Sequence, residues 1–133
     1  PWLFIHDEVG YNYRLPNINA ALGCAQLEFI EKFVEKKRLL ANSYFDWFRE
    51  RGYEMVREPC RARANYWFNA LLTHDRSERD AFLEFTNKNN VMTRPAWTPM
   101  HTLEMYAHCV RTELSVTEWL EDRIVNIPSS VPS

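Results

Sequence analysis

In "GYNYR", residues 10–14, Asn12 and Arg14 stand two positions apart. On an extended backbone they point the same way, with Tyr11 and Tyr13 on the opposite side. An amide and a guanidinium on one side make a grip for a phosphate or a carboxylate. The competing reading is a loop that caps the helix following it. A second candidate is "TRPAWTPMH", residues 93–101, in which Pro95 and Pro99 stiffen a loop carrying Arg94, Trp97 and His101. An indole, a guanidinium and an imidazole on a rigid loop suit a flat base or a sugar ring. Here the competing reading is a structural crossover in which Trp97 fills the core.

Other chemistry finds no pattern. His6, His74, His101 and His108 lack metal-ligand spacing, and no metal is expected. There is no GxSxG nucleophile, no recognisably activated cysteine and no glycine loop to cradle a nucleotide. Cys24, Cys60 and Cys109 form no CxxC pair and read as free thiols in a reducing compartment. In "EKFVEKKR" the like-charge pairs Glu31–Glu35 and Lys32–Lys36 are offset by Glu28–Lys32 and Glu35–Arg38. The run reads as a solvated helix face.

The elements that position these residues must come from 133 residues, enough for one domain with its own core. The aromatic fraction of 14% supplies bulky core or contact material, and with only 3 Gly the turns must rely on Asn, Pro and Ser. A net charge of −2 with interspersed signs argues against a nucleic-acid binder and against disorder. "PWLFI" is too short for a signal segment and no apolar run reaches membrane-span length, so a soluble cytoplasmic domain is expected.

Residues 1–16 read as a lead-in loop and 17–51 as helical, with Asn17 as N-cap and Gly52 as the stop. One stripe holds Ile18, Ala21, Leu22, Ala25 and Phe29. A second, rotated stripe holds Ile30, Phe33, Val34, Leu40, Ala41, Tyr44 and Phe48. This predicts two helices broken near Leu27–Ile30, each packed on a different neighbour. Over 52–133, strands are predicted at 53–57 and 66–73, then a helix opened by Ser77 and ending near Asn89–Asn90. A short strand at 91–94 stopped by Pro95, a Pro-punctuated loop, a helix at 115–124 and a strand or loop over "VNIPSS" complete the chain. The order predicts an α+β fold: N-terminal helices on a small, mostly antiparallel sheet.

"HDEVGYNYRLPNINAALGCAQLE", followed by "RPAWTPMH" and "NIPSSV" in that order, resembles the DegT-type family of PLP-dependent sugar-nucleotide aminotransferases, especially its legionaminic- and perosamine-type members. The similarity spans nearly the whole chain. It implies a fold-type I aminotransferase, usually a homodimer with active sites at the subunit interface, moving an amino group from glutamate to a nucleotide-linked keto sugar. By that resemblance the "GYNYR" loop reaches into a neighbouring subunit's site. Asn12 would hold the cofactor phosphate and Arg14 would bind or brace beside it. The "RPAWTPMH" loop would line the sugar-nucleotide pocket through Arg94, Trp97 and His101.

The resemblance also exposes a departure. Such an enzyme needs a lysine amine to hold the cofactor covalently and shuttle a proton. In this family that lysine, and the acid that pairs with the pyridine nitrogen, lie in the large domain upstream. Lys32, Lys36 and Lys37 sit on the charged helix face and Lys88 in a polar "NKNN" stretch. The chain is therefore expected to be the C-terminal small domain, cut off at both ends, inactive alone and binding no PLP covalently. A large aminotransferase domain and a nucleotide sugar are the implied partners. The alternative is a stand-alone binding or oligomerisation module. Either way a homo-oligomer is expected, through the first helix and "PWLFI", with no nucleic-acid or membrane partner.

Overall fold

A computed structural model describes residues 5–131; residues 1–4 of the "PWLFI" segment lie outside that range. Two helices lead: α1 (Asn17–Leu27) and α2 (Ile30–Arg49). They part where the apolar stripe changes phase, as the periodicity predicts. Asn17 is the first helical residue rather than the cap. Pro16 occupies the cap position, and no side chain bonds to the helix start there. α2 ends in a Schellman arrangement: Gly52 N–H donates to the Arg49 carbonyl at 3.1 Å and Tyr53 N–H to the Phe48 carbonyl at 3.0 Å. Gly52 takes φ +80°, the left-handed conformation this stop requires.

α3 (Arg76–Lys88) ends the same way, with Asn90 at φ 60° and Val91 N–H on the Thr86 carbonyl at 2.9 Å. Its cap is Asp75, whose carboxylate accepts from Glu78 N–H at 2.8 Å, while Glu78 reaches back to His74 N–H at 2.7 Å. Ser77, expected as the cap, lies inside the helix. An Asp–x–x–Glu box two residues earlier supplies both partners at once and wins.

The sheet runs β1-β2-β4-β3 and is antiparallel throughout, formed by β1 (Glu54–Met55), β2 (Asn69–Leu72), β3 (Arg94–Pro95) and β4 (Ile124–Ile127). Leu71 faces Met55 and Val125 across the ladder, and Asn69 faces Ile127. Met55, Leu71, Val125 and Ile127 join Ala41, Phe45 and Phe48 of α2 and Leu83 of α3 in one core. Burying each large side chain of this set contributes about 1.5–3 kcal/mol before entropy is counted.

Several expected boundaries move. The strand at 53–57 shrinks to two residues and that at 66–73 to four. Tyr66 turns at φ 47° and Trp67 N–H bonds to Asn65 Oδ1 at 3.0 Å, which takes the backbone out of the ladder. Pro95 does not stop the third strand but lies within it, opposite Val125. That is tolerated because β3 is an edge strand. α4 (Ser115–Glu121) ends earlier than 124, since Thr73 N–H takes the Arg123 carbonyl at 3.0 Å and Ile124 pairs with Leu72. Between β3 and α4 the chain makes two 3-10 turns, Met100–Thr102 and Glu104–Tyr106.

Candidate functional site

The lead-in loop forms no helix or strand up to Pro16, and the rings of Tyr11 and Tyr13 lie 6.2 Å apart. Asn12 and Arg14 are exposed, and neither makes a hydrogen bond or ion pair with another described residue. Because α1 has no side-chain cap, the loop is not spent on capping its own helix. Leu15, at φ 85°, swings the chain into α1. A bulky residue held there is strained by about 1–3 kcal/mol. Along α1 nothing is buried: Ile18 is 82% exposed, and Leu22 and Leu27 are also open.

The second candidate loop is set by a polar seam on α3. Thr86 and Thr93 share a hydroxyl contact at 2.5 Å, and Asn87 Nδ2 donates to the Thr93 carbonyl at 3.1 Å and the Leu83 carbonyl at 2.8 Å. Asn126 Nδ2 then holds the Pro95 carbonyl at 3.2 Å. Arg94, between Thr93 and Pro95, lines a cavity of about 410 Å³ with Trp67, Phe68, Met92, Asn126, Ser129 and Lys37. The "NIPSS" segment forms the cavity's other wall. Ser129 Oγ accepts from Asn69 N–H at 2.8 Å and donates to the Ile127 carbonyl at 3.0 Å, while Lys37 Nζ donates to the Ser129 carbonyl at 2.7 Å. Beside it, Asn69 Oδ1 is buried with no partner among the described residues.

Trp97 does not fill the core. It is 57% exposed, its ring 5.6 Å from Phe68 in an edge-on contact. His101 is carried away from Arg94 by the first 3-10 turn. Its side chain is 13% exposed, its Nε2 is 3.3 Å from Glu118 Oε1, and it lines a different cavity of about 430 Å³ with Arg76, Glu121 and Asp122. Arg76 braces that cavity, donating to Asp122 and Glu121 at 2.6 Å each, and its guanidinium holds the Asp122 carboxyl below the usual range. The structure thus brings Arg94 and Trp97 to the same aromatic edge and puts His101 around the corner.

Two corrections concern charges on α2. Arg38 does not pair with Glu35. It grips Glu58 with both arms at 2.8 and 2.7 Å and donates to the Ala64 carbonyl at 2.8 Å. Glu58 also accepts from Ala64 N–H at 2.7 Å. The Arg38 bonds, then the Ala64 bond, pull the Glu58 carboxyl down to about 2. This clamp closes the 58–64 connector against α2. Lys37 also leaves the solvated face and is half-buried at the cavity wall. A signal existed for it, since Lys37 lies one turn from Ala41, a core residue of the same helix. Lys32 and Lys36 are exposed, and Lys88 pairs with Glu84 at 2.6 Å. Among the described residues no group of His, Cys, Asp and Glu could hold a metal, and no helix is long and apolar enough to cross a membrane.

Comparison with known proteins agrees with this architecture. Residues 3–132 match the profile of the DegT/DnrJ/EryC1/StrS aminotransferase family. The chain is 33% identical over 127 residues to a GDP-perosamine synthase of Vibrio cholerae, covering 93% of this chain and 35% of the relative. It is 31% identical over 102 residues to the putative pyridoxal phosphate-dependent aminotransferase EpsN of Bacillus subtilis, covering 76% of this chain and 26% of the relative. Its fold matches the aminotransferase TlmJ of Streptoalloteichus hindustanus with a TM-score of 0.74 at 24% identity, over 84% of this chain and 30% of that one. The chain spans about a third or less of the length of the curated relatives it matches.

Proposed function

From the premise that the chain belongs to the DegT/DnrJ/EryC1/StrS aminotransferase family, we propose that it is the C-terminal small domain of a PLP-dependent enzyme that aminates nucleotide-linked keto sugars. Alone it does not transaminate. The observation that carries this reading is the open "GYNYR" arm on a chain matching the family across residues 3–132. Asn12 and Arg14 keep all their donors available, which suits a phosphate held outside the described residues. In this reading Asn12 binds the cofactor phosphate and Arg14 braces it. PLP, when bound, supplies the electron sink that amino-group transfer needs. Arg94 and Trp97 bind substrate at the cavity edge, and His101, held beside Glu118, bounds the neighbouring wall.

None of the four lysines combines burial with freedom to react. Three are exposed, one of these tied to Glu84, and the half-buried fourth donates to the Ser129 carbonyl. The test is borohydride reduction of the chain mixed with PLP, followed by peptide mapping. No site-specific stoichiometric adduct is expected. One lysine labelled to completion, or amino-sugar product formed by the chain alone, overturns the proposal.

The same reading makes the chain a homo-oligomer through α1, whose Ile18, Leu22 and Leu27 are open to solvent. Ile5, the described end of the "PWLFI" segment, is exposed as well. Strictly monomeric light scattering at high concentration would refute that part. A cytoplasmic location accompanies the proposal, and the exposed thiols of Cys24, Cys60 and Cys109 suit it.

A further inference from the structure

Residues 96–114 join β3 to α4 and form the longest described stretch with neither α-helix nor strand. Their buried apolar anchor is Leu103, while Trp97, Met100 and Val110 stand exposed. A segment with so little apolar burial is held weakly, so each polar tie has leverage on it. His101 is where such ties meet. Its carbonyl accepts from Arg111 Nη1 at 3.3 Å, which draws in the far end of the segment. Its side chain, shielded from most solvent, lines two cavities at once, of about 430 and 260 Å³.

The two cavities differ in charge. Facing His101 in the larger one are Glu118 and Glu121 of α4, Asp122 just after it, and Arg76 of α3. In the smaller one the polar groups are Tyr106, Cys109 and Arg111, all from the segment itself. Arg76 is taken up by Asp122 and Glu121, at 2.6 Å each. That leaves Glu118 to His101, whose Nε2 lies 3.3 Å from Glu118 Oε1. We infer that His101 is a proton-operated latch on this segment. Charged, the imidazole is held by Glu118 and ties the first 3-10 turn to α4. Neutral, it has given its proton to solvent and keeps at most one uncharged hydrogen bond, which is the weaker tie. Histidine changes charge between about pH 5 and 8, so the segment closes on the acid side of that window and loosens on the other. The latch belongs to the fold and stands apart from the transferase reading.

Amide hydrogen exchange of the chain, followed by NMR on the seconds and hours scales and corrected for the intrinsic effect of pH, tests it. The probes are the Leu103 and Tyr106 amides, which donate to the Met100 and Leu103 carbonyls. The reference is the Val56 amide, bonded to the Ala70 carbonyl in the body. From pH 5.5 to pH 8 protection of the probes should fall about threefold, the effect of a partly exposed ion pair, with the reference steady. Glu118 is largely exposed, so Glu118→Gln keeps the fold, and it should leave protection low and flat across the window. His101→Gln should do the same, whereas His108→Gln, at an exposed histidine of the same segment, should retain the fall. Probes equally protected, or unprotected, at both pH values overturn the inference. So does a fall that survives Glu118→Gln or vanishes in His108→Gln.

Discussion

From Ile5 to Leu27 no residue is buried, whereas the stretch from Ala41 to Ile127 closes around Leu71, Leu83 and Val125, each fully shielded. The two regions have similar apolar content in sequence and opposite fates in space. α1 has three alanines but also Gly23 and two asparagines, and α2 is rich in Glu, Lys, Arg and Leu, so local helix preference does not separate them. Yet an 11-residue helix is marginal in water without a partner for its apolar side, and α2 finds that partner in the sheet. The contrast teaches that amphipathic pattern marks a surface to be covered and does not say which chain covers it.

The largest expected effect falls in the body. Leu71→Ala should lower stability to urea by about 2–5 kcal/mol, because the side chain is wholly enclosed between sheet and helices. A loss comparable to that of a surface substitution would mean the core is not where the contacts place it. The next lever is the Arg38–Glu58 clamp, read as pH dependence. The Glu58 carboxyl is held at about 2 against an ordinary 4.5. Its contribution is therefore fully present above pH 4.5 and is lost as pH falls toward 2. Glu58→Gln should be less stable than the parent at neutral pH, with the gap closing across that acid window. A gap independent of pH would assign the effect to shape rather than charge.

Thr93→Val should cost about 0.5–1.5 kcal/mol, since it removes a buried hydroxyl contact while Thr86 keeps the Phe82 carbonyl and Asn87 keeps the Leu83 and Thr93 carbonyls. Gly52→Ala should cost about 1 kcal/mol. Nothing would crowd the added methyl, so the whole effect is the left-handed backbone. The smallest effect belongs to the arm: Leu22→Ala should shift chemical stability by less than about 0.5 kcal/mol, with α1 amides exchanging faster than those around Phe45. In dilute solution strong protection of α1 would erase the contrast, whereas protection that grows with concentration would report the self-association proposed for that face.

Much of this frame was legible in the residues. The phase slip at Leu27–Ile30 located the helix break, and Gly52 and Asn90 located two helix stops, because those signals are local. Strand ends were harder. Trp67 and Phe68 look like strand residues, and only the ladder partners available at Asn69–Leu72 decide where pairing begins. The site was legible by residue type and not by grouping. Arg94, Trp97 and His101 are close in sequence, but a single 3-10 turn assigns His101 to another cavity. Lys37 was hidden in a charged run, because its reach to Ser129 spans most of the chain.

The sheet's outer margins carry a further consequence. β1 and β3 are both edge strands of two residues, and β3 contains Pro95, which has no amide hydrogen to offer a newcomer. A stray polypeptide therefore meets rims too brief, and on one side chemically blunted, to extend the ladder. Clumping of this protein should accordingly proceed through its greasy N-terminal helix and give dispersible particles rather than cross-β fibrils.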